Sequence, residues 1–279
     1  MVGYDCYRRD IKYHLRFLSN TLTYLSKGLF VSYIEWVKGL LIGFKIPIED
    51  ITVNFQCFKR VFESKAPGSL RTVLVEFMDA GLSQLDAKAI EIPLFIGDDF
   101  PLSELATQYL DSLLRGDSQG ANQLIQGAVE KSTEIRDIYL QVLKNVQLEV
   151  DRLWHANQLT IAQEHYCTDL TRRVMDSLHP YIQSSKSVNR TLIASCVTGE
   201  LHEIGIHIVS DFFKLSGWKI YFTGANTPSP DIIHAIRQQN TDLLALSVTI
   251  PWYVIEAEKL ITEIRNTKEV KDVKIIVGG

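Results

Sequence analysis

The 279 residues carry a formal charge of −4, with 46% hydrophobic and 22% charged residues, an ordinary soluble composition with room for two or three cores. That balance gives no global attraction to nucleic acid or to an anionic membrane, and the polar start MVGYDCYRRDIKYH excludes a signal peptide. The most apolar stretch, 28–44, contains Glu35 and Lys38 and makes a poor membrane span; Cys6, Cys57, Cys167 and Cys196 form no CxxC pair, so a reducing, cytoplasmic location is expected.

Residues 1–92 read as an all-helical sensory or dimerisation domain. Leu15, Leu18, Leu22, Leu25 and Leu29 form an amphipathic stripe. Ile51, Phe55, Phe58 and Phe62 form a second stripe after Pro47, where Glu49 and Asp50 suit a first helical turn. A third helix after SKAPGSL holds Val73, Phe77 and Met78.

The stretch IEIPLFIGDDFPLSE is a linker punctuated by Pro93, Gly97 and Pro101, with Asp99 as the expected cap of a helix that has Pro101 in its first turn. Residues 99–186 then read as a four-helix antiparallel bundle. Its helices carry Leu102, Leu105, Tyr109 and Leu113; Ala121, Leu124, Ile125 and Ala128; Ile135 through Tyr139 and Val142 to Trp154; and TIAQEHYCTDLTRRVMDSLHPYI. "RGD" at 115–117 ends the first of them.

Near Ser187 the period changes. TLIASCV, WKIYFTG, LLALSVT and VKIIVGG are strand-like runs separated by helical segments at 203–216, 230–239 and 252–266, so 188–279 reads as parallel βαβ units. Ligands collect at the carboxyl ends of such strands, and His202 stands just after the first. Taken alone, it either binds a ligand or caps the helix that follows.

Glu200-Leu201-His202-Glu203-Ile204-Gly205 resembles the DxHxxG signature of cobalamin-binding domains, with Glu in place of the leading Asp. Ser247-Val248-Thr249, Gly278-Gly279 and the loop TGANTP at 223–228 also match that family in order and strand context. The resemblance implies an α/β, Rossmann-like (flavodoxin-like) cobalamin domain in which His202 is the lower axial ligand of cobalt. Imidazole suits such a metal when neutral, and Glu200 would hold its other ring nitrogen. Gly205, Ser247, Thr249, Gly278 and Gly279 would line the cofactor and its nucleotide tail. Domains of the family continue with a further helix, strand and helix, so the resemblance implies a domain cut short after Gly279.

Trp154 is followed by Glu164-His165 in a Trp-x9-Glu-His spacing, which resembles cobalamin-dependent photoreceptors whose bundle caps adenosylcobalamin. The resemblance implies that Trp154 and Glu164 enclose the adenosyl group, with His165 beside them, and that His155 is the candidate upper cobalt ligand after photolysis. The plain alternative for Trp154 is a bundle-core aromatic, and for His165 an interface histidine.

Residues 1–62 contain nine Lys/Arg against five Asp/Glu and 12 of the 27 aromatics. No winged helix-turn-helix is legible there, and nucleic acid and membranes are not expected partners. The aromatics read as a dense core or dimer interface. Alternatively, LFVSYIEWVKGLLIGFKIPIEDITVNF resembles the helical region of photocobilins, which implies biliverdin as a second chromophore, with His14 and Tyr33 as candidate contacts.

The sequence therefore points to a sensory module without catalysis of its own: a photoreceptor in which light rearranges the cap and changes a homo-oligomer, any output domain or partner lying elsewhere. The alternatives are a corrinoid carrier for methyl transfer and a cofactor-free interaction module.

Overall fold

The computed structural model of the protein describes residues 2–88, 93–97, 100–182 and 186–279. It divides into two compact units, one of residues 1–93 with 152–160, the other of 94–151 with 161–279. These units regroup the three segments expected at 1–92, 99–186 and 188–279: the bundle and the sheet share one unit, and the turn carrying Trp154 and His155 joins the N-terminal helices.

The first unit contains α1 (Val2–Thr23), α2 (Lys27–Gly43), α3 (Ile48–Lys65) and α4 (Gly68–Asp86). Phe30, Ile34, Phe55, Phe77 and Met78 are its largest fully buried side chains. The leucine stripe does not lie on one helix. Leu25 takes φ 48° and is exposed, and Ser26 caps α2 by accepting the Leu29 amide, so the chain breaks where the leucine spacing runs on unbroken. Periodicity alone does not register such a local hydrogen-bonded stop.

Lys38 is buried on α2, where it donates to the carbonyls of Gln84 at 3.2 Å, Leu85 at 2.6 Å and also Ala87. These are the carboxyl end of α4, whose last carbonyls lack partners within the helix and attract a cation. One ammonium thus closes one helix and fastens it to another.

In the second unit α5 (Ser103–Leu114) and α6 (Ser118–Glu130) precede a continuous helical run: α7 (Ile135–Asp137), a π-helical segment (Ile138–Leu143) and α8 (Lys144–His155), whose last four residues belong to the first unit. Then comes α9 (Ile161–Ser177) and a 3-10 turn, His179–Tyr181. Helix α5 begins behind Leu102, so Pro101 precedes the helix instead of sitting in its first turn; the expected cap, Asp99, lies outside the described residues. Asp117 of "RGD" caps α6, its carboxylate accepting the Gly120 amide.

Strands β1 (Thr191–Cys196), β2 (Lys219–Gly224), β3 (Leu243–Ser247) and β4 (Lys274–Gly278) pair in parallel in the order β2-β1-β3-β4. The connecting helices are α10 (Ile204–Leu215), α11 (Ser229–Gln239) and α12 (Val254–Asn266). Alternation sorts the strand side chains. Ile193, Leu244 and Leu246 pack with α11 and α12, while Leu192, Ala194, Cys196 and Ala245 meet Ile206 of α10. The order reverses direction between β1 and β3, which puts a crevice at their carboxyl ends.

Among the described residues no helix is long and apolar enough to cross a membrane. Cys57, Cys167 and Cys196 are free thiols; that of Cys6 lies outside the described side chains.

Lys38→Met should lower unfolding stability by about 2 kcal/mol, because it leaves the buried carbonyls of α4 without their donor. Urea denaturation followed by circular dichroism measures this; a loss below about 0.5 kcal/mol would show that the lysine is not the required cap.

Candidate functional site

The turn after β1 carries the chain from Cys196 to α10 through Thr198-Gly199-Glu200-Leu201-His202. It is fixed from two sides. The side-chain carbonyl of Asn226 accepts the Gly199 amide at 2.7 Å, the Asn226 amide donates to the Glu200 carbonyl at 2.8 Å, and Thr198 Oγ1 donates to the Thr227 carbonyl at 3.2 Å. Gly199 sits at φ +88° with Tyr253 against it; a Cβ there would come within 2.5 Å of the Tyr253 ring. Only glycine meets both demands.

The fixed turn aims Glu200 inward. Its carboxylate is fully buried. One oxygen accepts the His202 amide at 3.0 Å and faces Nδ1 of the His202 ring at 2.5 Å; the other accepts the amides of Thr249 at 2.8 Å and Ile250 at 3.0 Å. Burial opposes ionisation, but the His202 ring and these three amides outweigh it and hold Glu200 at about 2. The extra methylene relative to aspartate is thus in use, since the side chain spans from the β1 turn to the loop after β3.

His202 is the exposed partner, with 58% of its side chain open. Nδ1 donates to Glu200, which leaves the lone pair on Nε2, and Nε2 has no hydrogen-bond partner among the described residues. The Glu200 hydrogen bond, against burial and with help from the charges of Glu200, Glu164 and Asp151, raises the His202 pKa. The His202 ring turns to Glu200 and does not cap α10: the N-cap residue is Glu203, and among the described residues no side-chain cap bond is made there.

The other expected residues fall in two places. In the second unit, Ser247 is buried at the end of β3 and its carbonyl accepts the Val197 amide at 3.3 Å, while Thr249 is exposed. The Gly278 carbonyl accepts the Val248 amide at 2.8 Å. A Cβ on Gly279 would overlap the Val248 carbonyl, a reason within the protein for glycine there. Beyond its own helix backbone, a Cβ on Gly205 would meet nothing within 4 Å among the described residues, so no packing demand explains that glycine. Glu164 accepts from Thr168 Oγ1 at 2.9 Å, and that hydroxyl also lies 3.0 Å from Gln147, which reaches Thr171 and through it Tyr109. His165 is largely exposed, 3.5 Å from Glu164.

Trp154 and His155 lie in the first unit. Trp154 packs beside Trp36 with ring centroids 6.4 Å apart. His155 is buried, and its Nε2 is 2.9 Å from the Trp36 carbonyl. A Cβ on Gly39 would come 2.3 Å from the His155 ring, and one on Gly43 2.4 Å from its carbonyl oxygen. The spacing Gly39-x3-Gly43 makes a small-residue groove on α2. His14 and Tyr33 hydrogen-bond each other at 2.6 Å and pack against Phe55 and Phe17, as members of the helical core.

These residues fit a corrinoid at the second unit's crevice: a held imidazole with an open Nε2, a glycine with nothing of the protein above it, and small residues at the ends of β3 and β4. Residues 190–279 and residues 105–179 match two protein families, each described as a B12 binding domain. Over 90 residues the chain is 30% identical to the HTH-type transcriptional repressor CarA of Myxococcus xanthus, a match that covers 32% of this chain and 31% of that one. It is 19% identical over 183 residues to the corrinoid protein DSY3155 of Desulfitobacterium hafniense (strain Y51), covering 64% of this chain and 84% of that one. The monomethylamine corrinoid protein of Methanosarcina barkeri superposes with a TM-score of 0.57 at 18% identity, over 64% of this chain and 85% of the other, which establishes the shared fold.

Glu200 is below its unfolded-state value in the folded chain, so its contribution is complete above about pH 4.3 and fades as pH falls towards about 2. The stability gap between wild type and Glu200→Gln should therefore shrink over this range. Denaturant titrations at several pH values measure it, and a gap that does not change would show that the carboxylate's charge is not what stabilises the turn.

Proposed function

We propose that the chain binds adenosylcobalamin with His202 as the lower axial ligand and acts as a light sensor. The observation that carries the binding is the Glu200–His202 pair, which presents an imidazole with its lone pair outward from a buried, ionised carboxylate. When bound, the cofactor supplies a cobalt–carbon bond that visible light cleaves.

The chain's own work is to hold, orient and respond. Glu200 fixes the His202 ring and its tautomer through Nδ1 and adds negative charge to the ligand. Because His202's pKa is raised, a proton competes for Nε2 at lower pH, and binding weakens as the medium is acidified. Gly205, Ser247, Thr249, Gly278 and Gly279 flank the nucleotide tail in this reading. In this reading Glu164 and His165 belong to the upper side. Glu164 sits in the hydroxyl and amide network of Thr168, Gln147 and Thr171, which fixes its side chain.

His155 is the responsive residue of the proposal. Its ring is seated on the Gly39–Gly43 groove and tied to the Trp36 carbonyl. To serve as a ligand after photolysis it must leave that seat, and its departure opens a buried contact in the N-terminal helical unit. Such a packing change is the physical form a signal to an oligomer interface or an output partner takes. Biliverdin as a second chromophore, a reducing, cytoplasmic setting and the lack of catalysis remain part of the same proposal.

A second reading has its own support. The extended matches, over 84% and 85% of their partners' lengths, are to proteins named as corrinoid proteins, which favours a methyl-transfer carrier whose upper face admits a partner enzyme. The Trp154 and Glu164 pattern favours the sensor.

Absorption spectra of the full chain mixed with adenosylcobalamin, in darkness and after green light, separate the readings. For the sensor, a stable dark spectrum converts to a bis-imidazole form, His202→Ala binds at least tenfold more weakly, and His155→Ala alters only the light product. A light product identical to that of the free cofactor, with methyl transfer to a corrinoid-dependent partner enzyme, would overturn the sensor in favour of the carrier. Absence of binding would overturn both.

A further inference from the structure

A second cluster of metal-binding side chains lies away from the Glu200–His202 turn, between α9 and α10. Asp176 stands at the end of α9, His179 opens the 3-10 turn that follows, and His207 projects from the first turns of α10. One donor atom from each lies within 4.8 Å of the others. Asp176 and His179 are exposed and His207 is buried at 5%. All three line one groove of about 760 Å³ beside β2.

His207 is the informative member. Its ring stacks on Phe222 with centroids 4.8 Å apart and meets the His179 ring edge-on at 6.1 Å. Its Nδ1 is buried with no hydrogen-bond partner among the described residues, and its Nε2 stops 3.8 Å from Asp211, outside hydrogen-bond range. A buried imidazole nitrogen left without a partner is costly, so a missing partner is the economical explanation. Burial lowers its pKa, against the opposing charges of Asp211 and Asp176. A neutral imidazole is the form that ligates metals.

The neighbourhood suits a cation. Asp211, buried and bound by the Tyr139 hydroxyl at 2.5 Å, lies 3.9 Å from His179 Nε2 and supplies further negative charge. Arg172 also borders the groove, but its guanidinium is engaged by Glu203 at 2.9 Å and Asp169 at 2.6 Å. Lys214 and Lys219 line the groove as well and are the charges that oppose a cation there.

We propose that Asp176, His179 and His207 bind a divalent metal ion of the zinc class, which ties the last helix of the bundle to the first helix of the sheet layer. Two imidazoles and a carboxylate form a zinc ligand set, and the fourth position stays with solvent or Asp211. Tetrahedral zinc with bonds of about 2.0–2.1 Å sets its ligands about 3.4 Å apart. The three side chains therefore close by about 1 Å, a motion that the two exposed ones permit. The site does not depend on the cobalamin reading, because its ligands are neither His202 nor Glu200.

The test is zinc competition against a chromogenic chelator on the full chain, with and without bound cobalamin. One equivalent should bind, His179→Ala and Asp176→Asn should each weaken it at least tenfold, and His202→Ala should leave it unchanged. Both weakening substitutions are at exposed positions, and circular dichroism checks that the variants fold. No bound zinc, zinc retained at full affinity in His179→Ala, or zinc lost only in His202→Ala would each overturn the proposal.

Discussion

Four donors converge on the carboxylate of Glu200, and the organisation of the crevice follows from that convergence. A buried carboxylate is tolerable only when its lone pairs are filled. Here the fillers come from two loops: the turn after β1 supplies the His202 ring and amide, and the loop after β3 supplies the amides of Thr249 and Ile250. The side chain therefore does two jobs with one charge. It closes the point where the sheet order reverses, and it sets the orientation and tautomer of the histidine that faces outward.

The N-terminal helical unit uses the same logic with opposite sign. Lys38 is a buried cation whose donors are taken up by the carbonyl end of α4. In both units a charge is buried where backbone groups lacking a helix or sheet partner need one. On the neighbouring turn of α2, Gly39 and Gly43 make room for His155. The groove therefore places a titratable, metal-competent side chain inside a packed helical interface, and its seat is one ring nitrogen's hydrogen bond to a carbonyl.

Much of this was legible beforehand. The change of period near Ser187, the four strands and the position of His202 after the first of them follow from alternation and from the run lengths of apolar residues. The helices at 118–130 and 161–177 were legible from their apolar stripes, and so was that at 103–114, although Pro101 stands before its first turn and not in it. The leucine stripe failed as a single helix because a serine cap and one left-handed residue stop a helix without disturbing its spacing. The division of the chain into units was also out of reach, since the turn at 152–160 chooses its neighbours by packing.

The sequence by itself determined which segments alternate as strand and helix, which faces are apolar, and that a histidine with cobalamin-type neighbours follows the first strand, because these are properties of residue order along one chain. Tertiary structure alone decided which polar atoms meet. It brought Glu200 to Thr249, Lys38 to the end of α4, His155 to Gly39, and Asp176 and His179 to His207. Each of those pairings joins positions tens of residues apart. Hydrophobic periodicity says which face is buried but carries no information on which buried donor will find which acceptor.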